Sequence, residues 1–263
     1  MLSEKIMVIG LDGLTLKVLH PLIQRGSLPT FARLLQYGGA GLLRSVTNMT
    51  TGPTWATFAT GCLPARHGIL HDFHHLPDSY TLQPTNGGLL RVPTFWEYAS
   101  QQGAQVITLN IPMSYPARPV NGILLAGIDA PAETAPGFDY PPGTYRTLRR
   151  HTGDYLIDCG LASFMQAGQV ERGVAAVTRE TEARTRAAEY FLQNHPWNLF
   201  TVVYSLPDVW QHYYWTSSAG SPGRQLLEQG YEMMDAQLAR LLEWLPEGGW
   251  MVIASDHGFG PLL

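Results

Sequence analysis

Charge is scarce in this chain, and so is cysteine. Acidic and basic residues fill 14% of the 263 positions, against roughly 25% in ordinary soluble domains. No positive excess is available to attract a nucleic-acid polymer, because the formal net charge is −4 and the pI about 6.1. Two cysteines, Cys62 and Cys159, are too few for a disulfide framework and read as small buried residues. No apolar run is long enough to span a bilayer, and the short run Ile6–Leu11 is too short and too early for a signal peptide. These absences lead to the expectation of a cytoplasmic protein with no membrane partner. No internal repeat is visible either.

What the chain does have is apolar content, 45% of it, enough for a large core. The length suits one large α/β domain or two small ones. Residues 5–11 (KIMVIGL) form an apolar run of strand length, as in a buried parallel strand. Residues 41–46, 104–109, 122–127, 197–204 and 250–254 read as further strands. Helical spacing fills 18–38 in two pieces, then 94–103, 169–193 and 224–245. Residues 77–93 read as a loop and about 131–168 as an irregular, cap-like excursion. The polar helix at 169–193 is expected to present a solvated charged face, with Glu182 paired to Arg186. Strands alternating with helices point to α/β: a three-layer α/β/α sandwich with a mostly parallel sheet, one domain over 1–263.

Open α/β sheets bind ligands beyond the carboxyl ends of their strands. Three of these strands run into acid or imidazole groups there: Asp12, then Asp208 with His212, then Asp256 with His257. Asp208 and His212 are four apart, so a helix places them on one face, where they can share a metal. Gly258 permits the turn that lets Asp256 and His257 face one point. Singly, each is equally a turn or cap residue. Together, carboxylates and imidazoles suit Zn²⁺ and, less selectively, Mn²⁺ or Fe²⁺.

Thr50 and Thr51 stand at a strand-to-helix turn, where free backbone N–H groups favour an anion. A threonine hydroxyl is a poor nucleophile unless a base or metal takes its proton; the other reading is an ordinary helix N-cap. His71, His74 and His75 do not share one helical or strand face, and read as surface or cleft-lining imidazoles. Asn110 and Tyr115, which follow a strand end, are candidates to line the cleft.

Five segments resemble the alkaline phosphatase superfamily, and within it the type I phosphodiesterase/nucleotide pyrophosphatase branch. They are Gly10-Leu11-Asp12-Gly13, Thr51-Gly52-Pro53-Thr54-Trp55 through Phe58-Ala59-Thr60-Gly61, Pro64-Ala65-Arg66-His67-Gly68, Pro207-Asp208 to His212, and Ser255-Asp256-His257-Gly258. They follow the family's order across nearly the whole chain.

The resemblance implies an alkaline phosphatase-like fold and a hydrolase with two divalent metal ions. Aligning Thr60-Gly61 puts the nucleophile on Thr51. Asp12, Asp256, His257 and the Thr51 oxygen would share one metal. Asp208, His212 and a further histidine would hold the other. Thr51 would attack phosphorus in line, and water would free the phospho-threonine. The substrate is a small phosphoester: a monoester, a diester or a nucleotide pyrophosphate. Sulfatase chemistry is disfavoured, since that branch needs Cys or Ser in a Cys/Ser-x-Pro-x-Arg motif. The family's last histidine lies well past Asp-His-Gly, so the second site is expected to be weakened unless His71, His74 or His75 substitutes. The sequence therefore reads like the front part of a longer hydrolase, with its last sheet strands missing. Asp72 stands where many nucleotide-cleaving relatives place an Asn on a phosphate oxygen; an anion there repels substrate unless protonated or paired. The alternatives are a truncated, inactive divalent-metal or phosphate-binding module, and a metal-dependent phosphomutase. A homo-oligomer is left open.

Overall fold

A computed structural model describes residues 4–76, 78–215 and 217–260 of the chain. The elements run β1 (Ile6–Leu11), α1 (Leu16–Gln24), α2 (Pro29–Tyr37), α3 (Thr51–Thr60), α4 (Pro64–His67), β2 (Phe73–His75), β3 (Leu82–Pro84) and α5 (Phe95–Gln101). Then follow β4 (Val106–Ile111), β5 (Gly122–Ala126), β6 (Asp139–Tyr140), α6 (Thr144–Thr152), α7 (Leu161–Gln166) and α8 (Val170–Asn194). The series closes with β7 (Leu199–Tyr204), α9 (Leu206–Tyr214), α10 (Pro222–Leu242) and β8 (Trp250–Ala254).

Six strands form the central sheet in the order β6-β5-β4-β7-β1-β8. All pairings are parallel except β5 with β6. Every residue of β4 and β7 is buried, which is why these runs are apolar without alternation. Helices flank the sheet: α1, α2, α8 and α9 all meet α10, whereas α3 packs with α4 and α5. The α/β sandwich with a mostly parallel sheet is therefore as the sequence implies. The small antiparallel pair β2–β3 stands apart from the sheet.

Three local expectations are corrected. Residues 41–46 form no strand. Leu42 and Leu43 are 90% and 82% exposed, because no strand of the described sheet lies beside them to complete a ladder. The regions 77–93 and 131–168 are more ordered than their Pro and Gly content suggests. The first holds β3, and the second holds β6, α6 and α7. Leu148, Tyr155 and Leu161 from the excursion are buried in the main core, and that burial overrides weak local periodicity. Finally, α8 keeps Glu171, Arg172, Arg179 and Arg186 exposed, but Glu180 and Arg184 are buried rather than solvated. Arg184 is 1% exposed and pairs with Glu180 at 2.6 Å, while donating to the carbonyls of Leu156 and Ile157. Glu182 pairs with Arg240 of α10 at 2.8 Å, not with Arg186, because α10 packs alongside α8.

Candidate metal and phosphoryl-transfer site

The sheet order explains why distant acids meet. β7, β1 and β8 are adjacent and parallel, so the residues following them emerge at one edge. Asp12 follows β1 and its N–H donates to Tyr204 O, the last residue of β7, at 2.9 Å. Asp208 and His212 lie on α9, one turn apart, with His212 Nε2 3.2 Å from Asp208 Oδ2. Asp256 and His257 follow β8.

One group of potential ligands is already assembled. Asp12, Asp256 and His257 each offer an atom within 4.8 Å of the others. His257 Nε2 is 3.4 Å from Asp12 Oδ1 and 3.7 Å from Asp256 Oδ2. The other imidazole nitrogen, Nδ1, is 2.8 Å from Gly258 O. As a donor to that carbonyl it leaves Nε2 with a free lone pair facing the carboxylates, the usual orientation of a ligating histidine.

The Asp208 pair borders this group. Gly13 has φ +64, and a Cβ there would sit 2.9 Å from Asp208 Oδ1. Only glycine combines that left-handed turn with so close an acid. Burial, then the charges of Asp256 and Asp208, push the Asp12 carboxyl well above its ordinary range. Burial also raises Asp208, against the opposing pull of His212 and His257. Asp12 Oδ1 and Asp208 Oδ1 are buried with no hydrogen-bond partner among the described residues. Crowded, desolvated carboxylates with orphaned oxygens beside a free imidazole nitrogen are a donor set that fits a divalent cation, which would reverse their repulsion.

Helix α3 brings Thr54 and Trp55 to the same place. Thr54 Oγ1 donates to Asp256 Oδ2 at 2.7 Å, and Trp55 Nε1 approaches Asp12 Oδ2 at 3.4 Å. Thr51 is thus the first residue of a helix whose first turn touches both acids. Thr50 occupies the N-cap position, yet its side chain makes no capping bond and its buried Oγ1 has no partner. The cap comes from further along the chain: Gly52 N–H donates to Asp72 Oδ1 at 2.6 Å.

The remaining candidates are spread out. Asn110 is buried at the end of β4 with φ +56; its Nδ2 donates to Val203 O at 3.2 Å and its Oδ1 is unpartnered. The Tyr115 hydroxyl donates to Pro136 O at 3.0 Å. His71 lies 3.0 Å from Asn48 Nδ2, and His74 and His75 lie on β2; none joins a ligand group among the described residues. Cys62 and Cys159 are free and half-buried.

Sequence reasoning gave no role to several supporting residues. Thr54 and Trp55 sat inside a quoted motif without one. Gln211 donates to Gly13 O at 2.8 Å and accepts from Tyr231 at 2.9 Å, tying the Asp12 turn to α9 and α10. Nothing in their spacing announces this.

The fold and site define a class: an α/β sandwich with acids and imidazoles clustered at the carboxyl edge of its sheet, beside a threonine-bearing helix start. The chain belongs to the type I phosphodiesterase/nucleotide pyrophosphatase family, whose profile it matches over residues 6–263. No curated protein sequence matches it. Among solved structures it is similar to phosphonoacetate hydrolase from Sinorhizobium meliloti 1021. In complex with phosphonoformate that structure gives a TM-score of 0.66 at 20% identity, with 97% of this chain and 56% of that one covered. It is also similar to murine ectonucleotide pyrophosphatase/phosphodiesterase 5, with a TM-score of 0.59, 16% identity, and 97% and 57% coverage. An inactive Thr-to-Ala variant of the murine protein has been solved with AMP. The chain thus spans little more than half the length of these structures. Among the described residues no helix is long and apolar enough to cross a membrane.

Proposed function

We propose that this chain carries the catalytic residues of a divalent-metal-dependent phosphoester hydrolase, with Thr51 as nucleophile. The observation that carries the reading is the Thr54–Asp256 hydrogen bond, which fixes the start of α3 against the acid–imidazole cluster. Family membership supports the reaction class, and the inactive threonine variant of the murine relative supports the nucleophile.

In this reading Asp12, Asp256 and His257 would hold one cation, and Asp208 with His212 a second. Such cations lower the pKa of a coordinated hydroxyl and neutralise phosphoryl charge. Zn²⁺ is the first choice for this donor set, with Mn²⁺ and Fe²⁺ next. The chain's own residues do the rest. Thr54 orients Asp256, the Gly258 carbonyl orients His257, and α3 presents the Thr51 hydroxyl at its N-terminus. The Thr51 oxygen attacks phosphorus, the ester alcohol leaves with its electron pair, and water cleaves the phospho-threonine. The substrate is a small phosphoester.

The second set favours another reading in one respect. His212 is exposed, its ring packs edge-on against Phe259, and Asp208 is its one ion-pair partner among the described residues, as expected for a catalytically inactive metal- or phosphate-binding module.

Turnover of bis-p-nitrophenyl phosphate and p-nitrophenyl phosphate with and without added Zn²⁺ or Mn²⁺ separates the two. Cation-dependent turnover that disappears in Thr51→Ala is expected. Metal binding without turnover would establish the module instead.

A further inference from the structure

A cleft with no part in the phosphoryl-transfer site lies at the opposite edge of the sheet. Ile123, near the start of β5, and His195, just before β7, both line it. β5, β4, β7, β1 and β8 are parallel neighbours. Their starts therefore lie a strand's length, roughly 20 Å, from the ends that carry Asp12 and Asp256. The cleft holds about 500 Å³, a size in the ordinary range for a bound small molecule.

Its lining has two chemistries. One part is apolar and aromatic. Ile123 and Phe191 are buried, and the Tyr190 ring is stacked on His151 with centroids 5.2 Å apart, which holds it in place. The other part is basic. Arg146 and Arg150 stand four apart on α6, so they leave the same face of it. Both are exposed, and neither forms an ion pair among the described residues. Arg149 between them pairs with Asp154 at 3.1 Å.

Like charges at that helical spacing repel, and nothing acidic lines the cleft to offset them. Asp139 precedes α6 but is turned to the backbone, where its Oδ2 accepts the Gly143 and Tyr145 N–H groups at 3.0 and 2.7 Å. The helix start is thus already occupied, and an outside anion would be met by the arginine side chains instead. The chain as a whole has a net charge of −4, so the basic lining is local and not a property of the entire surface.

We propose that this cleft is a second ligand site, which takes a small organic phosphate or phosphonate carried on a flat apolar body. Guanidinium groups match phosphoryl oxygens in bidentate pairs, and two of them balance a dianion. Tyr190, Phe191 and Ile123 supply apolar surface for the body. The site does not depend on the hydrolase reading, since its ligand would lie across the sheet from the Asp12–Asp256–His257 cluster.

Titration calorimetry with phenylphosphonate, which has no ester bond to cleave, tests this. Arg146→Ala/Arg150→Ala should weaken binding about tenfold or more. Arg33→Ala/Arg179→Ala, which removes two exposed arginines outside the cleft, should leave the affinity unchanged. Inorganic phosphate, which lacks the apolar body, and benzoate, which lacks the second charge, should both bind more weakly than phenylphosphonate. Turnover of bis-p-nitrophenyl phosphate should be the same in Arg146→Ala/Arg150→Ala as in wild type. Equal weakening in the two double variants would reduce the effect to overall charge and overturn the site. Equal affinity for inorganic phosphate, or no binding of phenylphosphonate by wild type, would do the same. A rise in the KM of the ester by the factor lost in phenylphosphonate affinity would place the phosphonate at the catalytic cluster, which also overturns it. If wild type turns over no ester, the hydrolase reading fails, and calorimetry alone still decides whether the cleft binds.

Discussion

Thr54 and Asp256 lie 202 positions apart and share a 2.7 Å hydrogen bond, both of them buried. Thr54 Oγ1 also lies within reach of the carbonyls of Thr50 and Thr51, at 2.8 and 3.2 Å. One hydroxyl therefore couples the backbone of the threonine turn to an acid at the end of β8. Partners of this kind behind a ligand typically contribute 10–100-fold in metal affinity or activity. Thr54→Val is expected to weaken Zn²⁺ or Mn²⁺ binding by about tenfold or more, measured by titration calorimetry, with Thr54→Ser restoring most of it. Unchanged affinity in the valine variant would remove Thr54 from the site.

The Asp12 carboxyl is held above its ordinary range by burial and by Asp256 and Asp208. A folded-state value above the unfolded one means that the metal-free native state keeps a proton which the unfolded chain releases. Stability from this group is greatest below the ordinary carboxyl range and falls as pH rises through and beyond it. Asp12→Asn removes that penalty. The metal-free variant should melt several degrees higher than metal-free wild type at neutral pH, by differential scanning calorimetry. It should also lose the stabilisation that divalent cations give wild type, about 3 kcal/mol at a hundredfold excess over Kd.

Asp129 supplies a second pH-dependent term, remote from the ligand cluster. Its Oδ2 accepts the N–H groups of Gly87 and Tyr115 at 3.1 and 2.9 Å. Its Oδ1 is buried without a partner, and burial pushes the carboxyl from 3.8 up to about 6. Again the folded value lies above the unfolded one, so this contribution declines as pH rises from about 4 to about 6 and is flat above that. Urea midpoints across that window should slope less in Asp129→Asn than in wild type, with a difference on the order of 2–3 kcal/mol at its upper end. Parallel slopes would contradict the assignment.

Gly230 on α10 faces the Trp210 indole of α9, and a Cβ there would overlap it. Asp208 and His212 lie on that same short helix. Gly230→Ala is expected to destabilise the fold by about 1–3 kcal/mol through overpacking, read from chemical denaturation. If α9 yields by shifting, the variant should also lose cation affinity, although residue 230 is not a ligand.

Much of the architecture is legible in the chain because each strand's burial is written locally. β1, β4, β5 and β7 are near-continuous apolar runs; β4 and β7 are buried on both faces, as is β5 beyond Gly122, while β1 leaves Ile6 and Val8 partly buried. The acids at their ends, and the four-residue spacing of Asp208 and His212, are equally local facts. Residues 41–46 misled for the same reason. An apolar run reports that a segment could join a sheet, whereas forming a strand requires a neighbouring ladder.

What one dimension fixed was the series of strands and helices, the acids and imidazoles that end them, and the motif around Thr51. What three dimensions decided was who stands beside whom. β7 falls between β4 and β1, Thr54 reaches Asp256, Asp72 takes the helix start, and Arg184 is buried with Glu180. Side-chain periodicity describes the faces of one element. Adjacency is set by crossover connections and by packing between elements, whose energetics involve residues hundreds of positions apart.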